Sequence, residues 1–264
     1  MILLIFFLSF STALAAEQPN LDIVGGSYAV KGEFPYAAAL TTKFAGNITL
    51  VCGSSILTKS WILTAAHCVT YEDIFEVVVN AGMIDLYDEQ AQARNIVNYR
   101  IHPNYEKNTA HGYDLVVVKV DPPFEFGEFV QPANLPVADY DPIDWRYLTI
   151  VGWGQVDDHT SGHLLKKVHV PLVEYDDCMQ TLEKENEPDA YKYNNTEVCT
   201  LSPGNGPCIG DGGGPLTQNS VLIGVVSWGT HLSCAQNESI ALFPKVSSFI
   251  SWIQDNIDEE LTFA

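Results

Sequence analysis

The chain has 264 residues, of which 33 are acidic and 13 are basic, and its formal net charge is −20. This charge disfavours nucleic acid and anionic membrane as partners, because both require a basic patch. Hydrophobic residues make up 47% of the sequence, which is enough for a globular core, in either one large all-β domain or two ordinary domains.

The first residues predict a secretion signal. Residues 1–15 contain the apolar run ILLIFFLSF followed by STALA, and a short apolar core that ends in small residues is typical of a cleaved signal peptide. No later stretch has the roughly 18 apolar residues of a membrane-spanning helix. We therefore expect cleavage after Ala15 and a soluble, secreted, extracellular product.

From Phe34 onward, short apolar runs alternate with Gly, Asn, Asp and Pro. These runs are rich in Val, Ile and Tyr, and their spacing predicts an all-β barrel or sandwich. The end of the chain differs, because an apolar stripe at helical spacing predicts an amphipathic helix over residues 247–257, with Ser247 as its N-cap. The acidic residues 258–260 that follow are interpreted as a solvated tail.

Six cysteines follow the predicted signal, and an even number in a secreted chain predicts disulfide bonds. Their spacing alone does not select one pairing. It also lacks the paired arrangement of a structural zinc site, so the sequence predicts no metal and no cofactor.

Four motifs occur in a fixed order: IVGG at 23–26, TAAHC at 64–68, YDLV at 113–116 and GDGGGPL at 210–216. Together they resemble the trypsin- and chymotrypsin-like serine proteases, in which the last motif reads GDSGGPL. The resemblance covers nearly all of residues 23–257. It implies an all-β fold of two six-stranded antiparallel β-barrels, at about 23–132 and 133–264, with a C-terminal α-helix.

The resemblance assigns the catalytic histidine and aspartate to His67 and Asp114, and it places Gly212 where the family has its nucleophilic serine. Glycine has no side chain, so nothing at this position replaces the lost hydroxyl. The backbone N–H groups of Gly210 and Gly212 correspond to the oxyanion-binding donors of the family. They either still hold a carbonyl or carboxylate, or face only water.

The resemblance also implies an activation site. In the family, a cut before the isoleucine frees an ammonium group that pairs with the aspartate of the nucleophile loop, which makes Ile23 and Asp211 the corresponding pair. Residues 16–22 would then be a short propeptide. Asp22 precedes the cut, where most relatives have Arg or Lys, so either an unusual protease cuts here or the propeptide stays attached.

The specificity pocket departs from that of trypsin-like relatives. Gly206 stands where those relatives have an aspartate that selects basic side chains. Ser227 and Trp228 match the strand that flanks the substrate, and Gly229 keeps one pocket wall open. Either Ala241 or Ile240 is predicted to narrow the pocket.

The resemblance further implies three disulfides, and the sequence contains three glycosylation sequons. The implied disulfides are Cys52–Cys68, Cys178–Cys199 and Cys208–Cys234. The sequon asparagines are Asn47, Asn194 and Asn237.

The leading hypothesis is a secreted, proteolytically inactive homologue that acts by protein binding. It would be a monomeric decoy, cofactor or inhibitor in a proteolytic cascade, such as host complement or another defence pathway, with proteases or their substrates as partners. The sequence is also similar in type to the inactivated protease paralogues of parasitic mites. Two alternatives remain: a weakly active hydrolase that uses water or an external nucleophile, and a bulk secreted protein without a specific partner.

Overall fold

The protein is represented by a computed structural model. It describes residues 26–44, 46–70, 73–107, 112–142, 147–155, 162–184, 195–203, 206–229 and 237–264. The predicted signal peptide, the propeptide and Ile23 lie outside these ranges, as do Asn194 and Cys234.

The first half of the chain forms a closed antiparallel barrel. After the two-residue strand β1 (Ser27–Tyr28), the barrel strands are β2 (Ala37–Phe44), β3 (Asn47–Ile56), β4 (Trp61–Thr64), β5 (Val78–Ala81), β6 (Gln92–Ile101) and β7 (Val116–Asp121). Around the barrel their order is β2-β3-β4-β7-β6-β5. The predominantly apolar strands β4 and β7 are almost wholly buried, because the interior of the barrel forms the largest hydrophobic cluster.

The second half forms one curled sheet. Its strands are β8 (Tyr147–Gly152), β9 (Lys166–Val173), β10 (Glu197–Pro203), β11 (Pro215–Gln218), β12 (Val221–Val225), β13 (Trp228–Gly229) and β14 (Asn237–Pro244). Their order is β12-β11-β8-β9-β10-β14-β13, and β1 adds to β9 as an eighth strand. A single bridge between Gly224 and Lys245 links β12 to the chain just after β14, which curls the sheet back on itself.

Two α-helices complete the described structure: α1 (Tyr175–Lys184) and α2 (Ile250–Asn256). The predicted all-β class with a C-terminal helix is therefore confirmed, while the predicted domain boundaries stay predictions. Within the described residues, no helix has the length and apolar character needed to cross a bilayer.

Two details of the C-terminal prediction were wrong. Ser247 does not cap α2, because its hydroxyl donates to the Tyr140 carbonyl at 2.6 Å and the residue at the N-cap is Phe249. The acidic segment is not simply a solvated tail either. The carboxylate of Asp258 accepts a 2.6 Å hydrogen bond from the indole of Trp61 and pairs with Lys119 at 2.7 Å, so it fastens the end of the chain to the first barrel.

Candidate active site

Strand pairing brings the predicted histidine and aspartate together. His67 lies in a short 3₁₀ turn just after β4, and Asp114 lies two residues before β7. Because β4 and β7 are antiparallel neighbours, with Thr64 opposite Val116, the end of one strand lies beside the start of the other. His67 and Asp114 are therefore in direct contact although they are 47 residues apart in sequence.

His67, Asp114 and Ser227 form a hydrogen-bonded network. Nδ1 of His67 lies 2.7 Å from Oδ2 of Asp114, and the backbone N–H of His67 donates to Oδ1 at 2.8 Å. The hydroxyl of Ser227 donates to Oδ2 at 2.7 Å. Since a carboxylate only accepts, Nδ1 carries the proton and Nε2 of a neutral imidazole is left as an acceptor.

Asp114 is buried, with 5% of its surface exposed. Burial would raise the pKa of its carboxyl group, but the hydrogen bonds from His67 and Ser227 and the attraction of the imidazole hold the pKa below its ordinary value. Asp114 is therefore ionised at neutral pH and fixes the orientation of the His67 ring.

Gly212 lies directly against this ring. An ideal Cβ on Gly212 would be 2.7 Å from Nε2 and 3.1 Å from Cε1 of His67, and real Cβ atoms essentially never approach other heavy atoms closer than 3.0 Å. A side chain at position 212 would therefore require the imidazole to shift.

The loop around Gly212 is tied to both halves of the molecule. The N–H of Gly53 donates to the Gly212 carbonyl at 2.8 Å, and the N–H of Gly213 donates to Val226 at 2.7 Å. Gly213 has a φ of +77°, and a Cβ there would lie 2.5 Å from the carbonyl oxygen of Gly53, so the close approach requires glycine. Neither Gly210 nor Gly212 donates its N–H to an acceptor among the described residues.

Asp211 points away from His67 into the protein. It is 1% exposed, and its two carboxylate oxygens accept hydrogen bonds from the N–H groups of Gly154 at 2.8 Å and Cys208 at 2.9 Å. Burial raises the pKa of this carboxyl group to about 6 despite those hydrogen bonds. Its predicted partner, Ile23, lies outside the described residues.

Comparison with known proteins assigns the family. The family model described as Trypsin matches residues 23–253. The chain belongs to the trypsin family. It is 32% identical over 256 residues to the serine proteinase stubble of Drosophila melanogaster, an alignment that covers 91% of this chain but 32% of stubble, about a third of that protein's length. It is 28% identical over 256 residues to a trypsin of Phaedon cochleariae, covering 94% and 93% of the two chains.

A solved structure supports the same assignment. Mouse neuropsin, a serine protease expressed in the limbic system of the brain, superposes with a TM-score of 0.73 at 26% identity, over 87% of this chain and 97% of neuropsin. The barrel and the curled sheet of this trypsin-family chain are therefore a trypsin-like fold.

The predicted pocket residues are only partly described. In β13 and β14, Gly229 lies opposite Ala241 and Trp228 lies opposite Leu242, and Gly206 is buried. Residues 230–236 lie outside the described ranges. The narrowing of the pocket by Ala241 or Ile240 and the loss of selectivity for basic residues therefore stay predictions.

Two of the three implied disulfides are present. Cys52–Cys68 lies beside His67, and Cys178–Cys199 joins α1 to β10. Cys208 is also disulfide-bonded, although its expected partner Cys234 is not among the described residues.

The three sequon asparagines lie only partly within the described residues. Asn47 is exposed at the start of β3. Asn194 lies outside the described residues, as does the side chain of Asn237, although its backbone begins β14. Glycosylation at all three stays a prediction.

One cluster resembles a metal site by distance alone. The ligand atoms of Cys52, His67 and Cys68 lie within 4.8 Å of one another. The two sulfurs are bonded to each other and are therefore not available as thiolate ligands, which metal binding by cysteine requires.

Sequence reasoning missed two features near the loop. One is a cavity of about 340 Å³ beside Gly210, also lined by Leu50, Tyr87, Trp153 and Ile209. It is assembled from segments far apart in sequence, so no local pattern predicts it. The other is Lys166, which is 3% exposed in β9, although a lysine in an alternating strand pattern is ordinarily expected to face solvent.

Proposed function

We propose that this trypsin-family chain is a secreted, proteolytically inactive homologue that acts by binding other proteins. Its role would be that of a decoy, cofactor or inhibitor in a proteolytic cascade, such as host complement or another defence pathway. Its partners would be the proteases of that cascade or their substrates, bound by a monomer. The same proposal includes that the chain is of the type of the inactivated protease paralogues of parasitic mites.

The contact between His67 and Gly212 carries the proposal. An active serine protease requires a hydroxyl within hydrogen-bonding reach of the imidazole that takes its proton. Here the residue beside the imidazole has no side chain, and an added Cβ would lie 2.7 Å from Nε2 of the ring. The site therefore lacks the nucleophilic hydroxyl.

The expected loss of catalytic rate without a nucleophile supports inactivity. In a subtilisin-type serine protease, removal of the nucleophile lowers kcat by about 10⁶-fold, which corresponds to about 8 kcal/mol of transition-state stabilisation. A water molecule activated by His67 would lack the fixed position of a bonded serine oxygen, and positioning of the reactants is itself a large part of the rate enhancement.

Two further features favour secretion and binding. Disulfide bonds such as Cys52–Cys68 and Cys178–Cys199 form and persist mainly in oxidising, extracellular compartments. The net charge of −20 would also steer a basic partner toward the molecule.

Inactivity is tested with the secreted chain, a library of fluorogenic peptides and a fluorophosphonate active-site probe. We expect no labelling and no turnover above that of the His67→Ala variant, which serves as the matched control because it removes the imidazole that lies against Gly212. Turnover that is abolished by His67→Ala would refute inactivity and would favour a hydrolase that uses water or an external nucleophile.

Binding is tested by capture from plasma or haemolymph with the immobilised chain, followed by direct affinity measurement with each purified candidate. Active trypsin with its serine blocked serves as a control bait of the same fold. We expect a protease, or a substrate of one, that binds this chain and not the control. Recovery of the same proteins on both baits would contradict a specific binding role and favour a bulk secreted protein.

A further inference from the structure

Helix α1 covers only part of the sheet face on which it packs. Cys178 of α1 is buried and is bonded to Cys199 of β10, which attaches the helix to the sheet. Val173 of β9 lies opposite Cys199, and Pro171 lies opposite Tyr147 of β8. Side chains two residues apart in a strand, and side chains of opposite residues, point to the same face of a sheet. Tyr147 and Pro171 therefore lie on the face that carries α1, beyond the point where the helix is attached.

A cavity of about 350 Å³ lies between this part of the sheet and α1. The apolar side chains of Val173, Leu201 and Ile240 line it from the sheet, and Asp177 and Thr181 line it from the helix. Asp177 and Thr181 are four residues apart and so share one side of α1. An apolar lining with a few polar groups, and a volume of roughly 300–1,000 Å³, are typical of a binding pocket.

A second cavity, of about 420 Å³, continues the first, because residues 172–174 line both. It adds the carboxylates of Asp141 and Glu197. Lys245 is the one base among the described residues that line it, and Lys245 pairs with Asp141 at 2.6 Å. The two cavities, here called the α1 groove, are thus lined by four carboxylates and one lysine.

The first cavity offers three groups that attract a cation. Glu174 and Asp177 are exposed, and neither carboxylate has a hydrogen bond or ion pair with another side chain in the described parts of the chain. Tyr147 is 67% exposed, and a tyrosine ring with a free face binds lysine and arginine by a cation–π interaction. A lysine or arginine also has an apolar stem, which matches the apolar side chains of the sheet.

The charge of the groove selects among possible occupants. An anionic ligand would be repelled by the carboxylates, and a second copy of this chain has the same net charge of −20. A basic segment is attracted both by the groove and by the whole molecule. The cavities together are also larger than a single side chain, so they have room for the apolar neighbours of a basic residue.

We propose that the α1 groove binds a basic and apolar segment of a protein partner, with an arginine or lysine side chain against Tyr147, Glu174 and Asp177. The inference rests on the proposed binding function and names a surface for it. None of the residues that line the groove belongs to the network of His67, Asp114 and Gly212, so the groove stays accessible whatever occupies that site.

The probes are synthetic heptapeptides in three matched libraries, measured by fluorescence polarisation with the full secreted chain. The central residue is arginine or lysine in the first library, glutamine in the second and glutamate in the third, and its neighbours are leucine, isoleucine or phenylalanine in all three. We expect the basic peptides to bind about fivefold more tightly than the glutamine peptides, or better, and the glutamate peptides to bind most weakly. The preference should shrink as the salt concentration rises from about 50 to about 300 mM.

Variants of exposed lining residues locate the binding. Glu174→Gln combined with Asp177→Asn should weaken binding of the basic peptides by about fivefold or more, and Tyr147→Ala should weaken it by about threefold or more. Glu183→Gln and Phe75→Ala are the matched controls. Glu183 is an exposed acid of the same helix outside the lining of both cavities, and Phe75 is an exposed aromatic residue of the first half of the chain. Both controls should stay within about twofold of the parent.

Three results would overturn the proposal from the peptides alone. They are equal affinity of the three libraries, basic peptides that bind the parent and the lining variants alike, and N-acetyl-arginine amide that binds as tightly as the basic heptapeptides. The last result would favour a small cationic ligand. A dimer of the parent chain that dissociates in the variant with Glu174→Gln and Asp177→Asn, as measured by sedimentation, would overturn it in favour of a second copy.

Capture from plasma or haemolymph separates this inference from the proposed function. Partners that the parent and the variant with Glu174→Gln and Asp177→Asn capture equally would refute the groove and leave the binding function intact. Failure of the parent to capture any specific partner would refute the binding function, while the peptide affinities would still decide whether the groove binds basic segments.

Discussion

Nε2 of His67 lies 2.7 Å from the point where a Cβ on Gly212 would be. The same ring donates from Nδ1 to Asp114, so a shift of the ring would disturb that hydrogen bond. The position of the His67 ring therefore depends on the absence of a side chain at position 212.

Gly212→Ser is accordingly expected not to restore proteolysis. The new Cβ would force the Nε2 edge of the ring to shift while its Nδ1 edge is bonded to Asp114. This disturbs a hydrogen bond to a charged group, a class of bond that contributes about 1.5–3 kcal/mol. We expect peptide turnover to stay within about tenfold of the parent background, since misplaced groups lose most of the benefit of positioning. Fluorogenic peptide assays and fluorophosphonate labelling measure this.

Gly212→Ala is the matched control, because it adds the same Cβ without a hydroxyl. Both variants should lose about 1–3 kcal/mol of stability through overpacking, as measured by urea unfolding. Robust hydrolysis by Gly212→Ser that disappears when His67→Ala is added would contradict this account of the site.

His67 is expected to stabilise the fold independently of any part in catalysis. Its replacement by alanine leaves Asp114 buried with fewer partners and should cost about 2–3 kcal/mol at pH 7. Because the folded pKa of Asp114 is lowered, this stabilisation is present above the unfolded pKa and is lost as the pH falls through the folded value. Urea unfolding at pH 7 and at pH 3 should therefore show a smaller effect at pH 3.

His169→Ala provides the comparison, since the ring of this exposed histidine hydrogen-bonds to Thr149 at 3.0 Å and lies outside the network around Asp114. A surface change of this kind should alter stability by less than about 0.5 kcal/mol. Equal effects of His67→Ala and His169→Ala would mean that the network around Asp114 contributes nothing.

Asp211 should make the uncut chain less stable as the pH rises. Its folded pKa of about 6 lies above the ordinary value of 3.8, so the folded state binds the extra proton. Its stabilising contribution is full below pH 3.8 and is lost as the pH rises through about 6, a change of about 3 kcal/mol. As the pH rises from 4 to 7, the free energy of unfolding of the parent should fall relative to that of Asp211→Asn.

A parent stability that rises with pH relative to Asp211→Asn would identify a different state of the loop. An amino terminus paired with Asp211 would lower its pKa, and the parent would then gain stability relative to Asp211→Asn as the pH rises. A flat difference between the two proteins would mean that Asp211 does not titrate in this range.

The sequence predicted the meeting of His67 and Asp114 because each is embedded in a motif next to an apolar strand, and the two strands pair in this fold. The sequence also places Gly212 in the loop before β11. It could not predict how closely the imidazole lies against Gly212, because the ring position depends on contacts with Asp114 and Ser227 that form only in the folded state.

Lys166 and Asp258 escaped prediction for a related reason. Both are charged residues, and their local sequence indicates exposure to solvent. Their partners lie on other strands: Gly152 opposite Lys166 in β8, and Trp61 and Lys119 around Asp258. Local composition does not predict contacts between residues that are so far apart in sequence.

Asp258 is therefore expected to anchor the end of the chain. Hydrogen bonds from Lys119 and Trp61 hold the pKa of its carboxyl group below the ordinary value, so the anchor weakens only when the pH falls through that lowered value. Asp258→Ala should lower Tm and expose the otherwise buried indole of Trp61, which a red shift of tryptophan fluorescence and faster exchange of the Leu135 amide would report. Glu260→Gln, an exposed change two residues away, should leave all three readouts unchanged. If the two variants behave alike, the segment after α2 is a solvated tail after all, as its composition indicates.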